Sequence, residues 1–453
     1  MKSDYPLDRD RVMRAADHVL GYPAADGVEV LFSGSASGLT RFANSEIIQN
    51  THREELRAFV RVHTRGRVAS ASTNQFDAEH MRAAAASALE AAEASLPDPD
   101  FPGLASPDTV GRAEGLFRWD DPTAATTPSE RAEAVTGILS VTRGGNTSGI
   151  YETGAYAYAV VNSEGVDCFD AYTRCTTTCL VDRDGATGWG EDSSYSASSV
   201  DHLSAARRSS EKALAGASPQ HAEPGRYEVV LEAPAVSVMI DYLSYSGCGA
   251  KQVIEGDSFL ATKAGEVVAE PRVTVADEAS HPRSVGIGFD FEGVPRQTVR
   301  IIDDGVAKGP VTDLRTARQL GTVTTGHSSG SAEYGPYASN PVLVGGDKSL
   351  EQLISEVSSG FLVTRFHYVN ILDRPTTLLT GMTRDGTFRI ENGEVTTPVH
   401  NFRFSNTVLD MLGDVEGIGI EVASFPPDFG AFGSTAAPAL RVAGFTFSST
   451  TSH

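Results

Sequence analysis

The feature that most constrains the fold is a change in the character of the sequence directly after Pro224-Gly225. Here apolar Tyr227, Val229 and Leu231 alternate with charged Arg226, Glu228 and Glu232, and a period of two is typical of a strand with one buried face. From this point to the C-terminus, short strand-like segments and Gly-rich loops dominate. The C-terminal half of the chain is therefore predicted to consist mainly of β-strands.

One helical pattern interrupts this region, at residues 349–359. Leu350, Leu353, Ile354 and Val357 fall on one face at helical spacing, which predicts an amphipathic helix. Upstream, residues 299–302 have the pattern of a strand and run into Asp303-Asp304-Gly305, which predicts a tight turn.

The N-terminal part of the sequence instead mixes helical and strand patterns. Residues 28–32 and 56–62 resemble strands, and Asp77 is placed to cap a helix. A second helix is predicted to begin at Thr127, because Thr127-Pro128-Ser129-Glu130 forms a capping box with proline in the first helical position. The apolar residues of the first helix share one face: Met81, Ala84, Ala85, Ala88, Leu89 and Ala92.

These patterns predict an α+β fold with its main boundary near residues 218–226. We expect an N-terminal α/β region over residues 1–220, made of two small α/β units of about 1–95 and 118–218. A Pro-rich linker is predicted to join the two units. The strand-rich C-terminal domain, with a few helices, is expected to cover residues 221–453.

Charge and composition exclude several classes of function. The chain has 59 acidic and 37 basic residues and a net charge of -22, which disfavours nucleic acid and anionic lipid as partners. Four cysteines in 453 residues do not form a disulfide framework. The segment Met1 to Pro6 is polar, unlike a signal peptide, and no apolar run approaches the ~20 residues that span a bilayer. We expect a cytoplasmic protein that binds neither membrane nor nucleic acid.

The histidines do not form a recognisable zinc motif. A helical zinc site needs two imidazoles about one turn apart and a carboxylate that activates water. None of the eleven histidines lies three to five residues from another, and the helix-like residues 234–247 contain none. A site assembled from distant histidines stays open as an alternative.

The cysteines offer few catalytic candidates. Cys175 and Cys179 share a face of one predicted strand, but a rise of ~3.3 Å per residue separates them by ~13 Å, too far to share an ion. Cys248 lies between two glycines, where the backbone is expected to be exposed. As a nucleophile this thiol would need a nearby base, and the sequence identifies none.

Several segments resemble one protein family in their order and spacing. The strongest is Phe289-Asp290 with Glu292-Gly293-Val294-Pro295, and weaker segments precede and follow it. The chain resembles the TldD/PmbA (TldD/TldE) family of peptidases along nearly its whole length. The other segments are Leu39 to Ile47, Gly66 to Asn74, Gly305-Val306 with Lys308-Gly309, Ser339-Asn340-Pro341 and Asn392-Gly393-Glu394-Val395.

This resemblance implies a pair of subunits, of which only one binds zinc. TldD-type subunits carry an HExxxH motif on a helix shortly before the FDxEGVP-like segment, whereas TldE/PmbA-type subunits lack it. Counting back from Glu255-Gly256-Asp257 places the two histidine positions on Gly247 and Gln252, and the glutamate position on Cys248. Residues 241–257 contain no histidine, so the chain resembles the TldE/PmbA type.

The resemblance implies the non-zinc subunit of a heterodimeric metallopeptidase that acts on small or unfolded peptides. We expect no metal and no catalytic residue in this chain, zinc in a TldD-type partner, and peptide contacts at His327, Tyr334 and Arg365. Two alternatives are a stand-alone hydrolase with a cryptic metal or Cys248 site, and a non-enzymatic homodimer that binds peptides.

Overall fold

The computed structural model describes residues 5–428 and 432–451. Most of the polar segment at the N-terminus, Met1 to Asp4, lies outside the described residues. An α+β fold with a strand-rich C-terminal region is confirmed. The first strand of that region begins at Gly225.

The N-terminal region contains one sheet to which both predicted units contribute. The strand order is β3-β2-β1-β4-β5-β6, and every neighbouring pair is antiparallel. The two units meet where Glu29–Phe42 of β1 pairs with Gly149–Asn162 of β4, a pairing that the sequence did not indicate. The strands are β1 (Gly27–Ala43), β2 (Glu46–Thr64), β3 (Arg67–Thr73), β4 (Asn146–Asn162), β5 (Asp167–Arg183) and β6 (Ala186–Ser194).

Both predicted helix starts in this region are confirmed. Asp77 caps the second helix through the N–H groups of Glu79 and His80, and Thr127 forms its capping box with Glu130. The Pro-rich linker contains two single helical turns and no strand. The helices are α1 (Arg9–Asp17), α2 (Ala78–Ala94), α3 (Pro107–Val110), α4 (Asp121–Ala124), α5 (Pro128–Val141) and α6 (His202–Ala215).

The C-terminal domain contains two sheets. One has the order β10-β9-β8-β11-β18-β17; the other has the order β12-β7-β19-β15-β13-β14 and closes into a barrel because β12 also pairs with β13. The strands are β7 (Gly225–Leu231), β8 (Val275–Asp277), β9 (Val299–Asp303), β10 (Val306–Ala307), β11 (Pro341–Leu343), β12 (Ser359–Asp373), β13 (Leu378–Glu391), β14 (Glu394–Pro398), β15 (Phe402–Thr407), β16 (Val415–Ile418), β17 (Ala423–Phe425), β18 (Thr435–Ala437) and β19 (Leu440–Thr450).

Two details of this domain differ from the sequence predictions. Strand β7 is central in its sheet, so Val230 is buried together with Val229 and Leu231. The helix predicted over residues 349–359 ends at Ser355, because the chain enters β12 at Ser359. The predicted turn after residue 303 is confirmed, with positive φ angles of 49° at Asp304 and 78° at Gly305.

Helix α7 connects the two C-terminal sheets, since it packs against β7 and β12 of the barrel and against β11, β17 and β18 of the other sheet. Ten residues of α7 are buried, among them Val236, Met239, Ile240 and Leu243. The helices of this domain are α7 (Ala233–Gly247), α8 (Ala250–Ile254), α9 (Leu260–Lys263), α10 (Leu314–Leu320), α11 (Leu350–Ser355) and α12 (Val408–Gly413).

The two regions share part of their core. Val160, Cys168 and Tyr172 of the N-terminal sheet pack against Ile287 and Phe289 of the C-terminal domain. Among the described residues, every helix is too short or too polar to cross a lipid bilayer.

Candidate functional site

The segment that the family resemblance assigns to zinc ligands lies at the C-terminal end of α7 and in α8. This end of the helix is closely packed. A Cβ atom on Gly247 would lie 2.9 Å from the ring of Phe259, which is itself fully buried. Real Cβ atoms are not found at that separation from another heavy atom. The position expected to carry a histidine in a zinc-binding relative therefore has no room for a side chain in this packing.

Cys248, at the glutamate position, is also enclosed. It is 1% exposed, which contradicts the prediction of an exposed glycine-flanked thiol. Its thiol donates a hydrogen bond to the carbonyl of Leu243, with an Sγ–O distance of 3.4 Å. Burial raises the pKa of the Cys248 thiol, and the negative charge of Asp277 raises it further. Little thiolate is expected near neutral pH, so the site disfavours both nucleophilic attack and metal binding by this sulfur.

Gln252 completes the set of three positions. Its Oε1 atom is buried and has no hydrogen-bond partner in the described structure. A glycine, a buried protonated thiol and a neutral amide do not match the imidazole, thiolate and carboxylate groups that zinc prefers. Within residues 5–428 and 432–451, no group of three or more His, Cys, Asp or Glu side chains could hold a metal ion.

His327 belongs to a buried network next to this segment. Its Nε2 atom lies 2.9 Å from Oδ1 of Asp277, and its Nδ1 atom lies 2.9 Å from the hydroxyl of Thr325. Asp277 also accepts a hydrogen bond from Arg296 at 3.0 Å and from the backbone N–H of Asn340 at 2.7 Å. His327 is only 1% exposed, so the peptide contact predicted for it is not available in this structure.

The charges in this network favour a neutral histidine beside an ionised aspartate. Burial lowers the pKa of His327, although the adjacent Asp277 carboxylate opposes that shift. Burial alone would raise the pKa of Asp277, but Arg296 and His327 outweigh it and lower this pKa to about 2. The network thus holds a buried ion pair between Asp277 and Arg296, whose side chains are 0% and 4% exposed.

The FDxEGVP-like segment forms a second buried charge cluster, where the two regions meet. The Asp290 carboxylate accepts hydrogen bonds from the backbone N–H groups of Glu292, Val294 and Ser328. Glu292 faces Arg61 of β2, at 3.9 Å, and Arg61 also pairs with Glu29 at 2.9 Å. Burial raises the pKa of Asp290 to about 7 and raises the pKa of Glu292, to which Asp290 adds a further increase.

The other two predicted peptide contacts lie in different environments. The guanidinium carbon of Arg365 stacks 3.7 Å from the centre of the Trp189 ring, and its Nε atom donates to Asp385 at 2.7 Å. Tyr334 lies in a loop and is 66% exposed. The structure therefore does not bring His327, Tyr334 and Arg365 together into one site.

Arg365 lines a cleft between the two regions. A cavity of about 350 Å³ extends from Arg365 and Trp189 to Tyr242 of α7, and a second of about 800 Å³ reaches from Trp189 to β17. Both include Trp189, Glu191, Pro234 and Phe425, so they form one continuous depression at the N-terminal end of α7. We call it the interdomain cleft.

The charged groups of the interdomain cleft are partly paired. Lys212 of α6 pairs with Glu232, which precedes α7, and donates a hydrogen bond to the hydroxyl of Thr364 at 2.9 Å. Glu191 accepts a hydrogen bond from the indole N–H of Trp189 at 3.0 Å. Burial raises the pKa of Glu191, and the bond from Trp189 opposes this shift. These residues come from β6, α6 and β12, so sequence spacing gave no signal that they meet.

Comparison with known families agrees with the placement of these segments. The family model "PmbA/TldA metallopeptidase C-terminal domain" matches residues 224–449, and the family model "PmbA/TldA metallopeptidase domain 1" matches residues 28–92. This chain belongs to the PmbA/TldD family. Family membership makes it a relative of metallopeptidases, and the C-terminal match begins next to β7.

Individual PmbA/TldD relatives are distant in sequence. A metalloprotease of Methanothermobacter thermautotrophicus is 27% identical over 215 residues, 47% of each chain. Metalloprotease PmbA of Escherichia coli O157:H7 is 26% identical over 198 residues, 42% of this chain and 40% of that protein. The chain thus spans about half the length of the curated relatives that it matches.

The fold of the PmbA/TldD family is matched much more completely. The crystal structure of TldE from Thermococcus kodakarensis superimposes with a TM-score of 0.85 over 95% of this chain and 99% of that one. At 19% identity this similarity demonstrates the shared fold only.

Proposed function

We propose that this chain is the non-zinc, TldE/PmbA-like subunit of a heterodimeric metallopeptidase. The observation that carries the proposal is the state of residues 241–257. This segment has no histidine, and its three key positions are a crowded glycine, a buried thiol and an amide whose oxygen is buried. A metallopeptidase fold that has lost these ligands but kept its architecture is readily explained if it completes the site of another subunit.

In this proposal the zinc is bound by a TldD-type partner, and this chain contributes part of the surface around the substrate but no catalytic group. Its function is to enclose the cleft of the partner, exclude folded proteins and help to position small or unfolded peptides. Extended peptides are bound well through backbone hydrogen bonds to a sheet edge. We place the complex in the cytoplasm, because all four cysteines are free thiols.

The first alternative is a stand-alone hydrolase with a cryptic metal or Cys248 site, and its Cys248 form is disfavoured by the burial of that thiol. A non-enzymatic homodimer that binds peptides is the second alternative. In that alternative the chain assembles with a second copy of itself and hydrolyses nothing. The test must therefore measure assembly and hydrolysis together.

The decisive experiment compares the purified chain, a TldD-type subunit with an intact HExxxH motif, and their mixture. Mass measurement in solution follows assembly, metal analysis measures zinc, and hydrolysis of an unstructured peptide measures activity. We expect a stable complex, substoichiometric zinc in this chain alone, and a rate for the mixture at least ~10-fold above that of the partner alone, equivalent to ~1.4 kcal/mol.

A partner whose motif glutamate is replaced by glutamine serves as the control, since it should assemble normally but hydrolyse nothing. The proposal is wrong if the two subunits stay separate at micromolar concentration, or if the partner is equally active alone. One tightly bound zinc per isolated chain, lost together with activity on chelation, would instead establish the stand-alone hydrolase.

A further inference from the structure

The contact between the two regions contains more acidic than basic side chains. Four carboxyl groups and one guanidinium group act on one another there: Glu29, Asp290, Glu292, Asp313 and Arg61. Glu29 and Arg61 belong to the N-terminal sheet, and the other three groups belong to the C-terminal domain. All four acidic side chains are buried or nearly so. Ionising every one of them beside a single cation would be costly, so the cluster is expected to retain a proton.

Three of the four carboxyl groups have partners that suit a negative charge. Glu29 pairs with Arg61 at 2.9 Å. Asp290 accepts the three backbone N–H hydrogen bonds described above. Asp313 caps α10 and accepts hydrogen bonds from the backbone N–H and the hydroxyl of Thr316, at 2.8 and 2.7 Å. Each of these contacts favours the ionised form of its carboxyl group.

The other titratable groups around the cluster do not compensate a further charge. Arg296 is paired with Asp277, and Arg315 is paired with Asp98. The Cys168 thiol also faces the cluster, but burial raises its pKa to about 12, so it is uncharged near neutral pH.

Glu292 is the carboxyl group with the weakest set of partners. Its Oε2 atom accepts one hydrogen bond, from the backbone N–H of Leu314 at 3.3 Å. The nearest cation is Arg61 at 3.9 Å, which is already paired with Glu29. Burial raises the pKa of Glu292, and the charge of Asp290 raises it further. The side chain is 14% exposed, so its proton can exchange with solvent.

We propose that Glu292 is a proton-dependent latch between the two regions, which closes their contact as a neutral acid and loosens it when it ionises. An ionised Glu292 faces one cation and three carboxylates, so its charge is repelled. Part of this repulsion comes from Glu29 in the opposite region and therefore acts across the contact.

The sign of the pH dependence follows from the raised pKa of Glu292. The closed contact is favoured at low pH, and this advantage is lost as the pH rises through the pKa of the closed form. The loosening is expected in residues 289–294, which carry the latch. This inference goes beyond the accessory role proposed above, because it assigns the chain a pH response of its own, and it needs no partner subunit.

Hydrogen exchange followed by mass spectrometry tests the latch on the isolated full chain. Glu292→Gln imitates the neutral acid at every pH. Comparing it with wild type at the same pH cancels the intrinsic pH dependence of exchange. We expect equal exchange rates in residues 289–294 at about pH 5. At about pH 8 the wild type should exchange at least ~10-fold faster, the equivalent of one pKa unit.

Glu29→Gln separates the latch from a merely structural contact. Removing the carboxylate that competes for Arg61 allows this guanidinium to compensate an ionised Glu292. In the Glu29→Gln background, the further change Glu292→Gln should therefore alter exchange at about pH 8 by much less than ~10-fold. A structural role alone would leave the effect of Glu292→Gln unchanged.

Infrared spectroscopy detects the proton directly. The spectrum of wild type minus that of Glu292→Gln at about pH 7 should contain the C=O stretching band of a carboxylic acid. Glu164→Gln is the matched control, because it removes one negative charge from an exposed residue between β4 and β5. It should match wild type in exchange of residues 289–294 at both pH values and should show no such band.

Any of three results would overturn the latch: no acid band, equal exchange of wild type and Glu292→Gln at about pH 8, or an undiminished effect in the Glu29→Gln background. Because these measurements use the chain alone, their failure leaves the heterodimer test unaffected. A failure to assemble with the partner likewise leaves them intact.

Discussion

The two ends of helix α7 have opposite characters. At its C-terminal end Gly247 and Cys248 are buried against Phe259 and the carbonyl of Leu243, with no space for a ligand. At its N-terminal end Pro234 borders the interdomain cleft, together with Trp189, Glu191 and Phe425. The same helix is therefore sealed at the positions of the family's zinc motif and open at the other end.

This contrast separates the fold, which the chain shares with its relatives, from the groups that it carries at the motif positions. A site occupied by small or buried groups is stable if its packing is good. The cavities of about 800 and 350 Å³ at the other end leave room for a ligand. The open end of α7 is thus the better place to look for function in this chain.

The largest expected effect tests how much the buried ion pair near the C-terminal end of α7 stabilises the fold. Asp277→Asn should lower the free energy of unfolding by about 3–5 kcal/mol, because it leaves the buried guanidinium of Arg296 without its counter-charge. Urea unfolding measures this change. Asp303→Asn, which removes the partner of the exposed Arg300, is the control and should cost less than ~1 kcal/mol.

The pH dependence of the same pair has a definite sign. The pKa of Asp277 is lowered to about 2 in the folded state, so its contribution is present above the unfolded value and is lost as the pH falls towards 2. A wild-type chain that loses no more stability in acid than Asp277→Asn would contradict the ion pair.

The next effect tests whether the zinc position is closed by packing. Gly247→His should destabilise the chain by about 1–3 kcal/mol through overpacking against Phe259, and it should not create a zinc site. Gly309→His is the matched control, because a Cβ atom there meets no atom within 4 Å. Thermal unfolding and metal analysis provide the measurements; a stable Gly247→His chain with one zinc bound would show that the site is only nominally closed.

The next prediction concerns the pH dependence of stability at Glu292, which lies in the buried contact between the two regions. Burial raises the pKa values of Glu292 and Asp290, so the folded state favours the protonated form of both carboxyl groups. Their contribution to stability is present at low pH and is lost as the pH rises through the pKa values of the folded state. Glu292→Gln should therefore reduce the fall in stability as the pH rises above 4.5, the ordinary pKa of a glutamate. Melting temperatures recorded from acid to neutral pH check the prediction, and parallel curves for both chains would contradict it.

The smallest expected effect concerns Cys248. Because its thiol is buried and its pKa is raised, Cys248→Ala should leave peptide hydrolysis by the assembled complex within a few-fold of wild type. A loss on the order of 10³-fold, with the complex still assembled, would make Cys248 catalytic.

Local features of the fold were predictable from the sequence because their causes are local. The caps at Asp77 and Thr127 and the turn at Asp304-Gly305 each depend on residues within a few positions of one another. The pairing of β1 with β4 was not predictable, since more than a hundred residues separate Gly27 from Asn146 and the hydrophobic pattern of a strand does not name its neighbour.

The same limit applies to the candidate sites. The lack of histidine in residues 241–257 is visible in the sequence, whereas the stacking of Arg365 on Trp189 is not. His327 lies in a family-like segment, but the sequence does not show that its side chain is buried beside Asp277.

The continuous N-terminal sheet has a consequence for the order in which the chain can fold. β1, a strand of 17 residues, pairs along one side with β2 and along the other with β4, which is synthesised much later. A nascent chain or proteolytic fragment that ends near residue 95 therefore exposes one whole side of β1. Such a long open edge is prone to intermolecular association, so the first matched domain is a poor candidate for independent expression.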